Sequence, residues 1–194
     1  MNKNIIKTIG LALLIAVQTS CRENEFGVVD LTLPEGVYVP VEAEYTYNHP
    51  CAMFNQADFD RVKNMLDDGT APQKVKDEFE NLKNSIYVSA SSYNPQPQTK
   101  IFRGDVTGTG VNKENYDYAM RDAAAAYQMA LLWKLTGTEQ YAKNVINILN
   151  QWAATCTEVT SNDANHKLAA GAQGYTFANA AEIMQTYDGW TEAD

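Results

Sequence analysis

Basic residues are scarce in this chain. Its 194 residues include 15 Lys and Arg against 24 Asp and Glu, which gives a formal net charge of −9. Proteins that bind nucleic acid usually present a basic patch or stripe, so this balance argues against a nucleic-acid partner. The three cysteines form no CxxC pair, and the two histidines do not stand at metal-ligand spacing. We therefore expect no structural zinc site.

The chain also lacks any apolar run that could span a bilayer at its N-terminus. The run from Ile9 to Val17 follows Lys3 and Lys7 and precedes Cys21, which is the layout of a secretory signal peptide over residues 1–20. The ending "TSC" resembles a bacterial lipobox, which implies that Cys21 is acylated and becomes the first mature residue. An ordinary cleaved signal with a coincidental cysteine is the alternative.

Lipidation of Cys21 would anchor the protein to a membrane through its acyl chains. The expected location is the periplasm or the outer membrane of a Gram-negative, Bacteroidetes-type bacterium. Cys51 and Cys156 would then lie in an oxidising compartment, where a disulfide can form. The sequence does not show whether they meet, so a disulfide and a pair of free thiols both stay open.

Helical periodicity begins only after residue 48, because residues 21–48 read as an extended linker interrupted by Pro34, Gly36 and Pro40. Asn55 is placed to cap a first helix that ends before Gly69. A second helix over 71–86 would bring four apolar side chains onto one face, namely Val75, Phe79, Leu82 and Ile86.

Longer helices are predicted over 116–135, 138–153 and 168–187. Gly137 separates the first two of these, and so short a turn requires the two helices to pack antiparallel. Nothing in the chain after the signal reads as a βαβ unit, and no phosphate-binding glycine motif is present. The predicted fold is therefore all-α and built of αα-hairpins.

A long segment rich in Ser, Pro, Gly and Thr occupies residues 89–112 and is predicted to be a loop. It carries Lys100 and Arg103 close to Tyr93 and Phe102, and this local positive charge stands out in an acidic protein. Loops of such length are uncommon in compact domains unless they are functional or disordered. A substrate lid and a solvated loop with incidental charges are both compatible with the sequence.

Polar residues interrupt two of the core-like helices. Asn179 and Glu182 are three positions apart and so share one helix face, and buried carboxylates are rare unless they are paired or in use. The pair is therefore either a buried bridge between neighbouring elements or part of a functional site. Adjacent Arg121 and Asp122 predict a structural ion pair or a helix cap.

Three stretches carry a family resemblance. "NYDYAMRDAAAAYQMALLWKLTGTEQYAKNVINILNQWA" followed by "LAAGAQGYTFANAAEIM" resembles the alginate lyase family of polysaccharide lyases, and the start "HP…F…DFDRVKNML" is also similar. The likeness covers about residues 49–190. It implies an (α/α) toroid over 49–194, in which helical hairpins ring a substrate cleft. It also implies eliminative cleavage of an acidic, uronate-containing polysaccharide, alginate- or glucuronan-like, without a metal or other cofactor.

The resemblance assigns roles to particular residues. Asn179 would donate a hydrogen bond to the sugar carboxylate, and Glu182 would assist in its protonated form, while a Tyr or His serves as base. His166 follows Asn165 and resembles the family's Asn-His pair, although a residue at the start of a helix is the alternative. The substrate-binding candidates are Lys100, Arg103, His166 and Tyr175.

The sequence departs from the family at its end. The Asn-His or Asn-Trp stretch, the Arg and the Tyr that perform catalysis in such lyases lie largely beyond a segment like this one, and no stretch after Trp190 matches them. We therefore expect an incomplete toroid, cut off before the main catalytic residues. A non-catalytic carbohydrate-binding surface lipoprotein is the alternative function. The oligomeric state is not indicated.

Overall fold

The structure is a computed structural model that describes residues 47–104 and 113–191. The predicted signal peptide, Cys21 and nearly all of the predicted linker lie outside the described residues, as do residues 105–112 of the predicted loop. No described helix has both the length and the apolar character needed to cross a membrane.

The described residues form five helices and two short strands. In chain order they are α1 (Gln56–Asp67), α2 (Gln73–Lys83), β1 (Lys100–Phe102), α3 (Tyr116–Thr136), α4 (Glu139–Thr155), β2 (Glu158–Thr160) and α5 (Asn165–Met184). The two strands pair in parallel, with Ile101 opposite Val159. The all-α prediction is confirmed, since helices dominate and each strand has only three residues.

The helix ends follow the local sequence signals. Asn55 caps α1 in a reciprocal arrangement: its side chain accepts a hydrogen bond from the Asp58 N–H at 3.1 Å, and the Asp58 carboxylate accepts one from the Asn55 N–H. Gly69 follows this helix with a φ of 76°, and Gly137 ends α3 with a φ of 70°. Both angles lie in the left-handed region that glycine adopts readily, so these predicted helix ends are confirmed.

Helix α3 lies at the centre of the fold because one of its faces is built from small residues. Ala119, Ala123, Ala126 and Ala130 are fully or almost fully buried. Such side chains let α4 and α5 approach closely, and both helices pack along α3. Helix α4 runs antiparallel to α3, as predicted. Asn144, early in α4, contacts Met129 in the second half of α3, whereas Trp152, late in α4, contacts Asp122 in the first half of α3.

Three sequence-based predictions need correction. Helix α2 ends at Lys83, where Asn84 caps it, so Ile86 does not share the apolar face and is 90% exposed. Helix α5 begins at Asn165 instead of residue 168, because Ser161 and Asp163 accept hydrogen bonds from the first backbone N–H groups. Arg121 and Asp122 form no ion pair: Arg121 lies over the Tyr118 ring, and Asp122 accepts only neutral donors among the described residues.

The described part of the predicted loop is fastened to the helices. We call residues 89–104 the strap; it includes β1, so the prediction that this segment lacks regular structure is wrong there. Fully buried Asp122 accepts hydrogen bonds from the Tyr93 hydroxyl at 2.9 Å, the Gln96 N–H at 2.7 Å and the Trp152 indole at 2.8 Å. Burial raises the pKa of Tyr93, and the hydrogen bond to Asp122 adds to this, so the phenol stays protonated.

Two asparagines hold the rest of the strap. Buried Asn144 accepts from the Tyr93 N–H and donates to the carbonyls of Ser89 and Ser91, at 3.1 and 2.7 Å. Asn115 accepts from the Phe102 N–H at 2.7 Å and donates to the Lys100 carbonyl at 2.9 Å. Each buried backbone group that finds such a partner avoids a desolvation cost of about 1–3 kcal/mol. The strap is thereby tied to α3 and α4 at several points.

Candidate functional site

The predicted site residues fall into two groups in the structure. Lys100, Arg103 and His166 lie around the paired strands and the N-terminal end of α5, where the Arg103 N–H donates to the Thr160 carbonyl and His166 contacts Ser161. Tyr175, Asn179 and Glu182 lie along one face of α5. Both groups draw on the same helix, but the structure does not bring them into contact.

The three residues of the first group have partners within the chain. Lys100 forms an exposed ion pair with Glu158 at 2.8 Å, and Arg103 stacks over the Tyr116 ring at 4.3 Å. His166 Nδ1 lies 2.8 Å from the Ser161 hydroxyl, at the first turn of the helix. These contacts position the three side chains, and their role in substrate binding stays a prediction.

Glu182, in the second group, fastens the beginning of the described chain to α5. Its Oε1 lies 2.6 Å from His49 Nδ1 and 2.8 Å from the backbone nitrogen of Cys51. We call residues 49–54 the leading segment; it lies across the face of α5 that carries Glu182. The side chains of Glu182 and His49 keep 19% and 39% of their surface exposed, so this pair is reachable from solvent.

Asn179 lies beneath the leading segment. It is 6% exposed, and its Nδ2 donates to the Tyr175 carbonyl at 2.8 Å. It lines a crevice with Met53, Phe54 and Tyr127 that is too narrow to hold a water molecule. The face that carries Asn179 and Glu182 is thus covered, and Glu182 makes bridging hydrogen bonds of the kind expected from a structural role. Contact of either residue with substrate stays a prediction.

Two tyrosines border the same place. The hydroxyls of Tyr127 and Tyr175 lie 3.4 and 3.3 Å from the Met53 sulfur. Burial raises the pKa of Tyr127, and the neighbouring Tyr175 adds to the effect, so Tyr127 keeps its proton at neutral pH. Tyr175 is 56% exposed. A protonated phenol can act as a proton donor, whereas its raised pKa makes Tyr127 a poor base.

Glu182 is ionised in the free protein. Partial burial pushes its pKa upward, but the hydrogen bonds from His49 and from Cys51 outweigh burial, and the net pKa is lowered. This disagrees with the protonated Glu182 that the family resemblance suggests. An ionised carboxylate only accepts hydrogen bonds, so Nδ1 of His49 carries the hydrogen; in the neutral form of the ring, Nε2 is then the acceptor nitrogen. A carboxylate that fixes a histidine in this way is a familiar arrangement for a general base.

Cys51 is the third reactive group here. The hydrogen bond to Glu182 raises the pKa of the Cys51 thiol, and burial and the negative charge of Glu182 act in the same direction. Reactive cysteines depend on a lowered pKa, so Cys51 is not an activated nucleophile. Cys156 is half-buried and directly follows the last residue of α4, and both cysteines are free.

The lowered pKa of Glu182 predicts a pH effect on stability. Unfolded Glu titrates near pH ~4.3, so the ionised Glu182 stabilises the fold above that pH, and the contribution is lost as pH falls through the lower folded value. We expect the free energy of unfolding of Glu182→Gln to lie below that of the wild type at about pH 6 and to converge with it toward about pH 3. Denaturant titrations at several pH values measure this. Glu80→Gln, on exposed α2, is the matched control; equal pH dependence of the two variants would contradict the prediction.

A larger groove lies on another face of α5, but its chemistry differs. It has a volume of about 540 Å³ and is lined mostly by apolar side chains of α4 and α5, including Trp152, Phe177 and Ala178, together with Trp190. A polyanion gains little from an apolar surface. The candidate site is therefore the cluster where the leading segment meets α3 and α5, comprising His49, Glu182, Tyr127, Tyr175 and Asn179.

Sequence reasoning missed His49 as a site residue. It stands 133 positions from Glu182 along the chain, and no spacing rule connects them. The "HPC" stretch was visible only as the start of a family resemblance. A signal that could have found it is the scarcity of histidine: the chain has only two, and one of them lies beside the carboxylate of Glu182.

The comparisons with known proteins give one result. A family model described as alginate lyase matches residues 56–194, well over half of the chain. The match includes Tyr127, Tyr175, Asn179 and Glu182, while His49 and Cys51 precede it. No curated protein and no solved structure matches the chain significantly.

Proposed function

The chain belongs to the alginate lyase family, and from that premise we propose that it acts on a uronate-containing polysaccharide, alginate- or glucuronan-like, by β-elimination. At the level of the family the function is polysaccharide lyase activity. The proposal of β-elimination on a polyuronate rests on the His49–Glu182 pair, whose side chains lie 2.6 Å apart at a solvent-accessible position beside two tyrosines.

The reaction needs a base, a proton donor and a group that stabilises the enolate. Nε2 of His49 takes the proton from the carbon next to the sugar carboxylate, and the electron pair of that C–H bond moves toward the carboxylate. The new carbon–carbon double bond then forms as the glycosidic C–O bond breaks. Tyr127 donates its proton to the leaving oxygen, since the phenol carries that proton at neutral pH.

Stabilisation of the enolate is the role proposed for Asn179. Hydrogen-bond donors aimed at developing negative charge supply much of the rate enhancement in such reactions. Since Asn179 is covered by the leading segment, the substrate reaches it only when residues 50–54 move aside. Exposed Lys100 and half-buried Arg103, both on the strap, are proposed to hold more distant sugar carboxylates.

The proposal is tested by following unsaturated uronate product through its ultraviolet absorbance, with alginate, glucuronan and a neutral polysaccharide as substrates. Because lyase sites draw residues from distant parts of a chain, the assay includes the 194-residue chain and the same chain extended by any coding sequence that follows it. We expect product from a polyuronate and none from the neutral polymer. Binding of the same polymers is measured in parallel.

The outcomes separate the candidate functions. Product from either form with a polyuronate supports the lyase. Tight binding of a polyuronate by both forms without any product contradicts the lyase proposal and favours the carbohydrate-binding alternative. Neither binding nor product in either form would overturn both.

A further inference from the structure

Three different metal-binding side chains meet at the leading segment. The imidazole of His49, the thiol of Cys51 and the carboxylate of Glu182 each place one ligand atom within 4.8 Å of the other two. His49 Nδ1 lies 2.6 Å from Glu182 Oε1 and 4.0 Å from Cys51 Sγ. Among the residues that the structure describes, no other His, Cys, Asp and Glu side chains converge in this way.

We propose that His49, Cys51 and Glu182 form a binding site for a borderline-soft divalent cation, with Zn²⁺ as the best fit. The ligand types select the metal. A thiolate and an imidazole suit Zn²⁺, whereas Mg²⁺ and Ca²⁺ prefer sites made only of oxygen atoms. A thiolate and a carboxylate together supply two negative charges, which balance the cation.

The spacing is close to what a tetrahedral ion requires. With metal–ligand bonds of about 2.0–2.3 Å, ligand atoms around Zn²⁺ lie about 3.3–3.7 Å apart. The Nδ1–Oε1 distance would widen and the Nδ1–Sγ distance would shorten, each by less than about 1 Å, which side-chain rotations can supply. Two of the three ligands lie on a short segment at the surface, so their adjustment does not disturb the core.

The site has three protein ligands and an open side. Cys51 is exposed and His49 is partly exposed, so a water molecule or a substrate oxygen can fill a fourth position. Sites with three protein ligands and one exchangeable position are typical of catalytic zinc, whereas structural zinc usually has four. A cation here would take the place of the hydrogen between His49 and Glu182. With Nδ1 bound to the cation, the hydrogen of the neutral imidazole lies on Nε2, so metal-bound His49 cannot act as the base of the proposed reaction. Metal binding and the proposed lyase chemistry are therefore alternative uses of His49, and binding is measurable without turnover.

The chain supplies matched controls for its own test. It has one other histidine and one other described cysteine, and neither belongs to the cluster: His166 lies at the start of α5, and Cys156 lies at the end of α4. The full chain, stripped of metal, is titrated with Zn²⁺ by calorimetry and with Co²⁺ as a spectroscopic probe. The variants compared are Cys51→Ser, His49→Gln and Glu182→Gln, against Cys156→Ser and His166→Gln.

The expected result is one Zn²⁺ per chain and a Co²⁺ spectrum with a thiolate charge-transfer band and tetrahedral d–d bands. Loss of a residue that only hydrogen-bonds to a metal ligand commonly lowers metal affinity by about 10–100-fold. Because the three variants each remove a direct ligand, we expect each to lose at least that much affinity for Zn²⁺. The two controls should bind as the wild type does. Cys51→Ser is the decisive variant, because serine keeps the backbone N–H that bonds to Glu182 and so leaves the leading segment in place.

Two results would overturn the proposal. One is a Co²⁺ complex without thiolate charge transfer, or with the same spectrum in Cys51→Ser as in the wild type. The other is unchanged Zn²⁺ affinity in all three ligand variants, whose folding is checked by circular dichroism. Loss of metal binding in the ligand variants with no polysaccharide cleavage by any form would leave the metal site standing and would overturn only the proposed function.

Discussion

Glu182→Gln should slow eliminative cleavage by about 10²–10⁴-fold, the range that general acid–base groups contribute. The substitution keeps an oxygen that can accept the hydrogen bond from Cys51, so the leading segment stays anchored. It removes the negative charge that fixes the protonated nitrogen of His49 and stabilises the imidazolium formed when Nε2 takes the proton. The measurement is the rate of unsaturated product formation by a lyase-active form of the chain.

The same assay separates catalysis from anchoring. If His49 and Glu182 act as one unit, His49→Gln and the double variant should be about as slow as Glu182→Gln, because effects within a unit are not additive. In these variants the pH profile of turnover should no longer show the rise that reports deprotonation of the general base. Glu80→Gln provides a control for the loss of one carboxylate. Turnover within about tenfold of the wild type in Glu182→Gln, at full folding, would remove this pair from the reaction.

Asp122→Ala should lower the free energy of unfolding by about 3–5 kcal/mol, because it leaves three buried donors unpaired at about 1–3 kcal/mol each, less what relaxation recovers. The carboxylate is fully buried and accepts three hydrogen bonds, from the Tyr93 hydroxyl, the Gln96 N–H and the Trp152 indole. Its removal leaves three buried donors without an acceptor and opens a small cavity. Urea titration followed by tryptophan fluorescence measures the loss, and Trp152 reports directly on the site.

Asp122→Asn tests whether acceptor capacity is what matters. Asparagine has nearly the same shape as aspartate, but its NH₂ group cannot accept a hydrogen bond. We therefore expect the free energy of unfolding of Asp122→Asn to lie above that of Asp122→Ala but below that of the wild type. Asp117→Asn, an exposed change on the same helix, should cost under about 1 kcal/mol. A loss of that small size for Asp122→Ala would mean that water replaces the carboxylate, and the strap would then be held by Asn144 and Asn115 alone.

Much of the fold was predictable because its signals are local. Asn55 and Gly137 mark helix ends through hydrogen bonds and backbone angles that involve only a few neighbouring residues. The strap was not predictable for the opposite reason. Its regular structure exists because Lys100 to Phe102 pair with residues 58 positions later, and because side chains on α3 and α4 satisfy its backbone. Local composition does not indicate which distant residues supply those partners.

The candidate site was half predictable. The shared face of Asn179 and Glu182 follows from helical spacing alone, and the structure places both on one side of α5. The spacing could not show that the leading segment covers this face, or that this segment places His49 and Cys51 beside Glu182. Burial and charge then decide the chemistry, since the donors that arrive with the leading segment keep Glu182 ionised.

The contact between His49 and Glu182 also has a kinetic meaning. It closes a loop of 133 positions, whereas the α3–α4 hairpin forms between neighbours in sequence, so the hairpin orders early and the leading segment docks late. An interaction absent from the folding transition state governs how fast the native state opens and has little influence on how fast it forms. Sub-global opening therefore starts at the leading segment, and amide hydrogens of residues 51–54 should exchange with solvent well before those of α3. The first part of that opening, in which residues 50–54 lift while the His49–Glu182 contact holds, is the movement that the proposed reaction needs in order to uncover Asn179.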